Sequence, residues 1–164
     1  MPEQVLIIAT GGTFDKKYHP VKEDMVFDEA SIVEQIVEVS HITDAPVVRA
    51  RLIDSLDMDD SHRAAMVNII DEHKADRVLI VHGTSTIRET ANYLAERFAH
   101  DKTIVLTGAL IPVRYDPVEG AVNFGLAFGA ARYLAPGVYV SLHGLAVAPD
   151  KITKQAATGF FRLV

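Results

Sequence analysis

"VLIIATGGT", residues 5–13, decides how the rest of the chain is to be read. From Val5 to Ala9 every residue is apolar, without the period-two alternation of a half-wet strand, so the run suits a strand buried on both faces. It stops at Thr10 and passes through Gly11 and Gly12, which have no side-chain bulk, to a hydroxyl at Thr13. A buried parallel strand that ends in a glycine turn opens onto the edge of a sheet where α/β proteins bind ligands.

Similar short β-branched runs recur in PVVRARL (46–52), RVLIVH (77–82), TIVLTG (103–108) and GVYVSLHG (137–144). Helical spacing fills the gaps. Ile32, Val33, Ile36 and Val37 form one stripe, with Asp28 or Ser31 as N-cap; Ser61 opens a second helix carrying Met66, Val67 and Ile70. A third runs from Thr86 to Ala99, where Thr86 and Glu89 have capping-box spacing, and an alanine-rich fourth covers Glu119 to Leu134.

Strands alternating with helices predict right-handed crossovers. The expected fold is α/β: a doubly wound, Rossmann-like, mostly parallel five-strand sheet in the flavodoxin-like order 2-1-3-4-5, with helices on both faces. Residues 1–164 are expected to form a single domain, with Pro149–Val164 as a tail of undetermined end structure. In that order the ligand crevice opens between strands 1 and 3. Thr13 follows strand 1, HGTST (82–86) follows strand 3 and DSLDM (54–58) follows strand 2, so three loops rich in hydroxyls and glycine converge there.

The formal charge of −6, with no Lys/Arg run or basic stripe, argues against nucleic acid or anionic membrane as partner. Absence of cysteine excludes disulfides and thiolate metal sites within the sequence. The opening MPEQVLIIATGG lacks a basic region, and its apolar run is too short for a signal peptide or a membrane span, so the expected compartment is the cytoplasm.

Phosphate chemistry fits poorly: neither G-x-G-x-x-G nor G-x-x-x-x-G-K-[ST] occurs, and FDKKYHP after Thr13 carries no helical pattern. A phosphoacceptor domain would need aspartate at the end of strand 3, where His82 stands. His82 reads more naturally as a structural histidine, and His41, His62, His73, His100 and His143 lack metal-ligand spacing, so no metal site is expected. Lys16 and Lys17 read as solvated loop charges. What remains is two threonines, Thr13 and Thr84, each beside a glycine, Gly12 and Gly83. Glycine lets backbone N–H groups approach an oxyanion closely, and a threonine hydroxyl becomes a nucleophile once a base or cation stands beside it.

At this point TGGTF (10–14), DSLDM (54–58), HGTST (82–86), LTGALIPV (106–113) and ITK (152–154) resemble, in order and approximate spacing, the motifs of the bacterial-type L-asparaginase family. The resemblance implies a cofactor-free amidohydrolase that is a homo-oligomer, a dimer or more. It covers the family's N-terminal domain, as in short single-domain members without the C-terminal domain. It makes Thr13 the nucleophile, which forms an acyl-enzyme and releases ammonia. Tyr18 stands for the mobile-loop tyrosine, across a loop shorter than in two-domain members. Thr84 and Lys154 form a second hydroxyl–amine set, and Ser55, after Asp54, holds the substrate carboxylate.

Two positions depart from the family pattern. Its aspartate after the second threonine is Ser85 here, and its glutamine after the serine is Leu56. Those residues hold a substrate ammonium, and the aspartate also pairs with the lysine; Asp54, Asp57 and Asp116 are candidate replacements. The departures make the substrate a small amide of open identity. They also admit an alternative, a non-catalytic module that senses an amino acid or amide.

Overall fold

The computed structural model describes residues 3–164. Its elements follow one another as β1 (Val5–Gly11), β2 (Lys17–His19), β3 (Asp24–Val26), α1 (Ile32–Val39), β4 (Val47–Ile53), α2 (Asp60–Glu72) and β5 (Arg77–Val81). Then come α3 (Ile87–Phe98), β6 (Thr103–Thr107), α4 (Pro117–Tyr133), β7 (Gly137–Leu142), β8 (Leu145–Val147), β9 (Ile152–Lys154) and β10 (Phe161–Leu163). The main sheet is ordered β4-β1-β5-β6-β7-β8. Its first five strands are parallel and stand in the expected 2-1-3-4-5 order. The sheet has six strands rather than five, because the chain turns back after Leu142 and pairs β8 antiparallel with β7.

Burial follows from the unbroken apolar runs. Leu6 and Ile8 of β1 point into a layer with Met66 and Ile70 of α2 and with Ala91, Leu94 and Phe98 of α3. Val5, Ile7 and Ala9 point to the other face, where Val33 of α1 and Phe124, Ala127 and Ala131 of α4 close a second layer. Both faces of the central strands are therefore dry, which a half-polar alternation would not have permitted. Among the described residues no helix is long and apolar enough to cross a membrane.

Several local expectations are corrected. The cap of α2 is Asp59, whose carboxylate accepts the Ser61 and His62 N–H groups, so Ser61 lies inside the helix. The Thr86/Glu89 capping box does not form: the Thr86 hydroxyl donates to the Ser55 carbonyl at 2.8 Å instead. The segment after Thr13 is a 3-10 turn (Thr13–Asp15) followed by the β2–β3 hairpin, and the tail folds into the β9–β10 hairpin.

Ser31 does cap α1, its Oγ accepting the Val33 N–H at 3.1 Å, but a second acidic residue completes that end. Asp15 is 1% exposed, takes the Ser31 hydroxyl at 2.5 Å and accepts the Ile32 N–H at 2.8 Å. Arg114 stands 3.6 Å from the same carboxylate. Asp15 thus ties the turn that begins at Thr13 to the start of α1. Asp15→Ala leaves these donors unpaired in the interior and should cost about 2–3 kcal/mol in chemical denaturation; a loss under about 0.5 kcal/mol would show the tie to be dispensable.

Candidate functional site

The carboxyl ends of β1 and β5 meet through glycine. Gly12 has φ 69°, a left-handed conformation that follows the last ladder residue of β1. A Cβ at Gly12 would fall 2.5 Å from the Gly83 nitrogen, so the two loops touch backbone to backbone. On its other side, Gly83 leaves no room for a Cβ against Ser55, whose Oγ would be 2.5 Å away. The three loops predicted to converge, after β1, β4 and β5, are packed against one another.

Thr13 is half-buried, and its hydroxyl makes no hydrogen bond within the chain among the described residues. Thr84 is 7% exposed, and Lys154, seventy positions away on β9, donates from Nζ to Thr84 Oγ1 at 3.1 Å. The lysine lies over the Phe161 ring of β10, 5.8 Å from its centroid, so the hairpin sets where the amine points. An ammonium only donates, so Thr84 accepts and keeps its own proton free for another acceptor.

The expected substrate-binding loop is occupied by its own bonds. Asp54 caps the short turn Ser55–Asp57 through the Leu56 N–H at 3.0 Å and pairs with Lys16 at 2.5 Å. The Lys16 ammonium, with the Leu56 N–H, holds the Asp54 carboxyl below the ordinary range. Lys16 is therefore a partly buried clamp between the Thr13 turn and the Ser55 loop, not the solvated charge its neighbours suggest; nothing in the sequence marks it. Ser55 is 1% exposed and its Oγ receives the Thr86 N–H at 3.4 Å. Leu56 (73% exposed) and Ser85 are exposed.

Tyr18 is 49% exposed on β2, and its hydroxyl is not brought to Thr13 by any hydrogen bond among the described residues. Its backbone N–H instead donates to the Tyr115 hydroxyl at 2.5 Å, which fastens the hairpin to the loop after β6. Asp116 caps α4 through the Val118 N–H, and Asp57 is exposed. None of Asp54, Asp57 and Asp116 pairs with Lys154, which is itself exposed. Among the described residues no cluster of histidine, cysteine or acidic side chains could hold a metal ion.

His82 supports the site from below. Its Nδ1 lies 2.7 Å from the Gly83 carbonyl, which can only accept, so Nδ1 carries the proton. Nε2 then accepts from the Thr90 hydroxyl at 2.9 Å, and Thr90 Oγ1 in turn accepts from Arg63 Nε at 3.0 Å. Burial keeps the ring neutral and pulls its pKa down to about 4, with the nearby Arg63 charge acting in the same direction.

Residues 4–162 match the family model described as the N-terminal domain of asparaginase. The chain is 29% identical over 166 aligned residues to L-asparaginase 2 of Escherichia coli (strain K12), covering 94% of this chain and 47% of that protein. It is 26% identical over 162 residues to the glutaminase-asparaginase of Acinetobacter glutaminasificans, covering 92% of this chain and 49% of that protein. The solved thermostable L-asparaginase from Thermococcus kodakarensis shares the fold with a TM-score of 0.81 at 21% identity, over 98% of this chain and 51% of that one. The chain spans about half the length of the curated relatives it matches first.

The histidine generates a pH prediction. An unfolded His82 binds a proton near pH 6.5 and the folded ring near 4, so between those values the unfolded state holds more protons. The contribution is complete above 6.5 and is lost on acidification toward 4, a difference of roughly 3 kcal/mol. NMR titration of the ring should give the low midpoint, and His82→Gln should flatten the pH dependence of stability in that window. A ring midpoint near the ordinary histidine value would overturn the assignment.

Proposed function

Because the chain belongs to the asparaginase family, through a match that spans residues 4–162, we propose that it is a cofactor-free amidohydrolase acting on a small carboxamide. Thr13 is the nucleophile. Its oxygen bonds to the amide carbon, the amide nitrogen takes up a proton and leaves as ammonia, and an ester remains on Thr13. Water then attacks the same carbon, the acid departs and the threonine hydroxyl is restored.

The observation that carries this reading is the Lys154–Thr84 contact at 3.1 Å, on a loop whose Gly83 touches the Gly12 that precedes Thr13. Lysine and threonine serve the proton transfers, and Tyr18 acts on the Thr13 side. Backbone N–H groups beside Gly12 and Gly83 face the oxyanion; such donors are worth about 3–4 kcal/mol each in related chemistry. Asp54, Ser55, Leu56 and Ser85 belong to the loops at the substrate's far end, and the Ser55 hydroxyl, whose oxygen already accepts the Thr86 N–H, has its proton left to donate to a substrate carboxylate.

We read residues 1–164 as one N-terminal-type domain that works as a homo-oligomer, a dimer or more. Support comes from α4, where Val118, Val122 and Tyr133 are 68%, 59% and 77% exposed, an apolar face of the kind that pairs with another copy. Phe124, by contrast, packs inward. Gly125 and Gly129 have open space around them, which permits close approach of a second helix. We place the protein in the cytoplasm on the single support of a cysteine-free composition suited to reducing surroundings.

Purified protein should release ammonia from asparagine, glutamine or a simple amide, and Thr13→Ala should abolish release while leaving ligand binding by calorimetry nearly intact. Binding without turnover in the unaltered protein would favour the sensing module instead. Ser85→Asp restores a counter-charge for an α-ammonium, which is costly to bury unpaired, and should raise the rate on L-asparagine several-fold. An unchanged or lower rate would mean that another group already serves the ammonium.

A further inference from the structure

We propose that Glu89 is the carboxylate that works with Lys154, taking over the position left empty by Ser85; the inference rests on the amidohydrolase reading above. Ser85 and Glu89 are four residues apart across the start of α3, about one helical turn. Both line a cavity of about 170 Å³ that also takes in Thr84, Arg88, Lys154 and Phe161.

Each charge in that cavity lacks its obvious partner or already has another. Capping-box spacing would send Glu89 back to the Thr86 N–H, but that group is held by Ser55 Oγ, which leaves the Glu89 carboxylate without an intrachain hydrogen bond or ion pair among the described residues. Lys154 has Thr84 Oγ1 as hydrogen-bond acceptor and Phe161 beneath it, and no carboxylate. Arg88 is turned to the far rim, where its Nε donates to the Pro149 carbonyl at 3.0 Å. That bond ties the first turn of α3, which carries Glu89, to the segment leading into β9, which carries Lys154, so the two walls of the cavity are joined.

In this structure the pair is unformed and both residues are exposed, where an ion pair contributes little. The cavity is small and has room for water. A bound amide displaces it, and attraction across the gap rises as the local dielectric falls. Glu89 then accepts one ammonium N–H while a second stays on Thr84 Oγ1, so the carboxylate is a positioning residue that keeps the lysine aimed through each proton transfer.

The test is Glu89→Gln, which keeps the shape and removes the charge, assayed on whichever amide the unaltered protein turns over. The expected result is a fall in kcat of about 10-fold or more with KM within about twofold, and an alkaline limb of the kcat profile moved to lower pH. Glu89→Asp should retain part of the rate. Adding Ser85→Asp to Glu89→Gln should return most of the loss, which a role confined to helix stability would not explain. Unchanged kcat and pH profile in Glu89→Gln, or no recovery in the double variant, would overturn the proposal while leaving the amidohydrolase reading intact. If the unaltered protein releases no ammonia, that reading fails by itself. A crystal structure with aspartate bound then decides the pairing without activity: Glu89 Oε within hydrogen-bond distance of Lys154 Nζ supports it, and a separated pair rejects it.

Discussion

The contact between the Gly12 and Gly83 backbones is the constraint from which the rest of the site follows. The two residues follow adjacent parallel strands, β1 and β5, in the middle of the sheet; a methyl group at Gly12 would force them apart, and one at Gly83 would push away Ser55. With both side chains absent, the turn bearing Thr13 and the loop bearing Thr84 leave the sheet side by side. The strands below supply the rigidity: Thr10 donates its hydroxyl to the Val81 carbonyl at 2.8 Å, closing the ladder just before the chains diverge.

Around that contact the protein uses buried polar groups as spacers. His82 holds the Gly83 carbonyl from beneath, Thr86 holds the Ser55 carbonyl, and Asn123 donates to the Gly108 carbonyl at 2.9 Å. Each satisfies a main-chain acceptor in a loop that has left the sheet, where an unpaired one would be costly. Glu119 does the same on the neighbouring loop, accepting the Leu110 N–H at 2.9 Å and the Ile111 N–H at 3.2 Å. Loops with so many fixed main-chain groups are preorganised, which is what an oxyanion site requires.

How much of this was legible depended on range. The five parallel strands and their order could be read because several of the runs are apolar on both faces and alternate with helical patterns, as a covered parallel sheet requires. The sixth strand could not: Leu145–Val147 is three residues long and exists because β7 offers an edge. The convergence of the three loops after β1, β4 and β5 was readable from topology. The clamp between Lys16 and Asp54, the Asp15 tie to α1 and the Tyr115 bond to the β2–β3 hairpin were not, since each joins residues 16 to 97 positions apart by a single polar contact with no periodic signal. Glu89 was visible but assigned to a cap, because the local spacing rule knows nothing of the Ser55 hydroxyl that intercepts the N–H.

The lysine shows why the remaining half of the site belongs to a different structural regime. Thr13 and Thr84 leave the central sheet, whereas Lys154 stands on a two-stranded hairpin of three residues per strand, and such a hairpin has little stability of its own. It is held by Phe161 and Ile152 in the core, by Val164 N–H to the Lys151 carbonyl, and by the His143 ring, which accepts the Phe161 N–H at 3.1 Å. His143 in turn donates to Glu119 at 3.0 Å, and Glu119 carries the loop after β6. The amine is thus hung on a chain of contacts that leads back to α4, the helix whose apolar outer face is uncovered. The position of Lys154 therefore rests on contacts that reach α4 as well as on its own hairpin, which is why no local pattern in the sequence announces it.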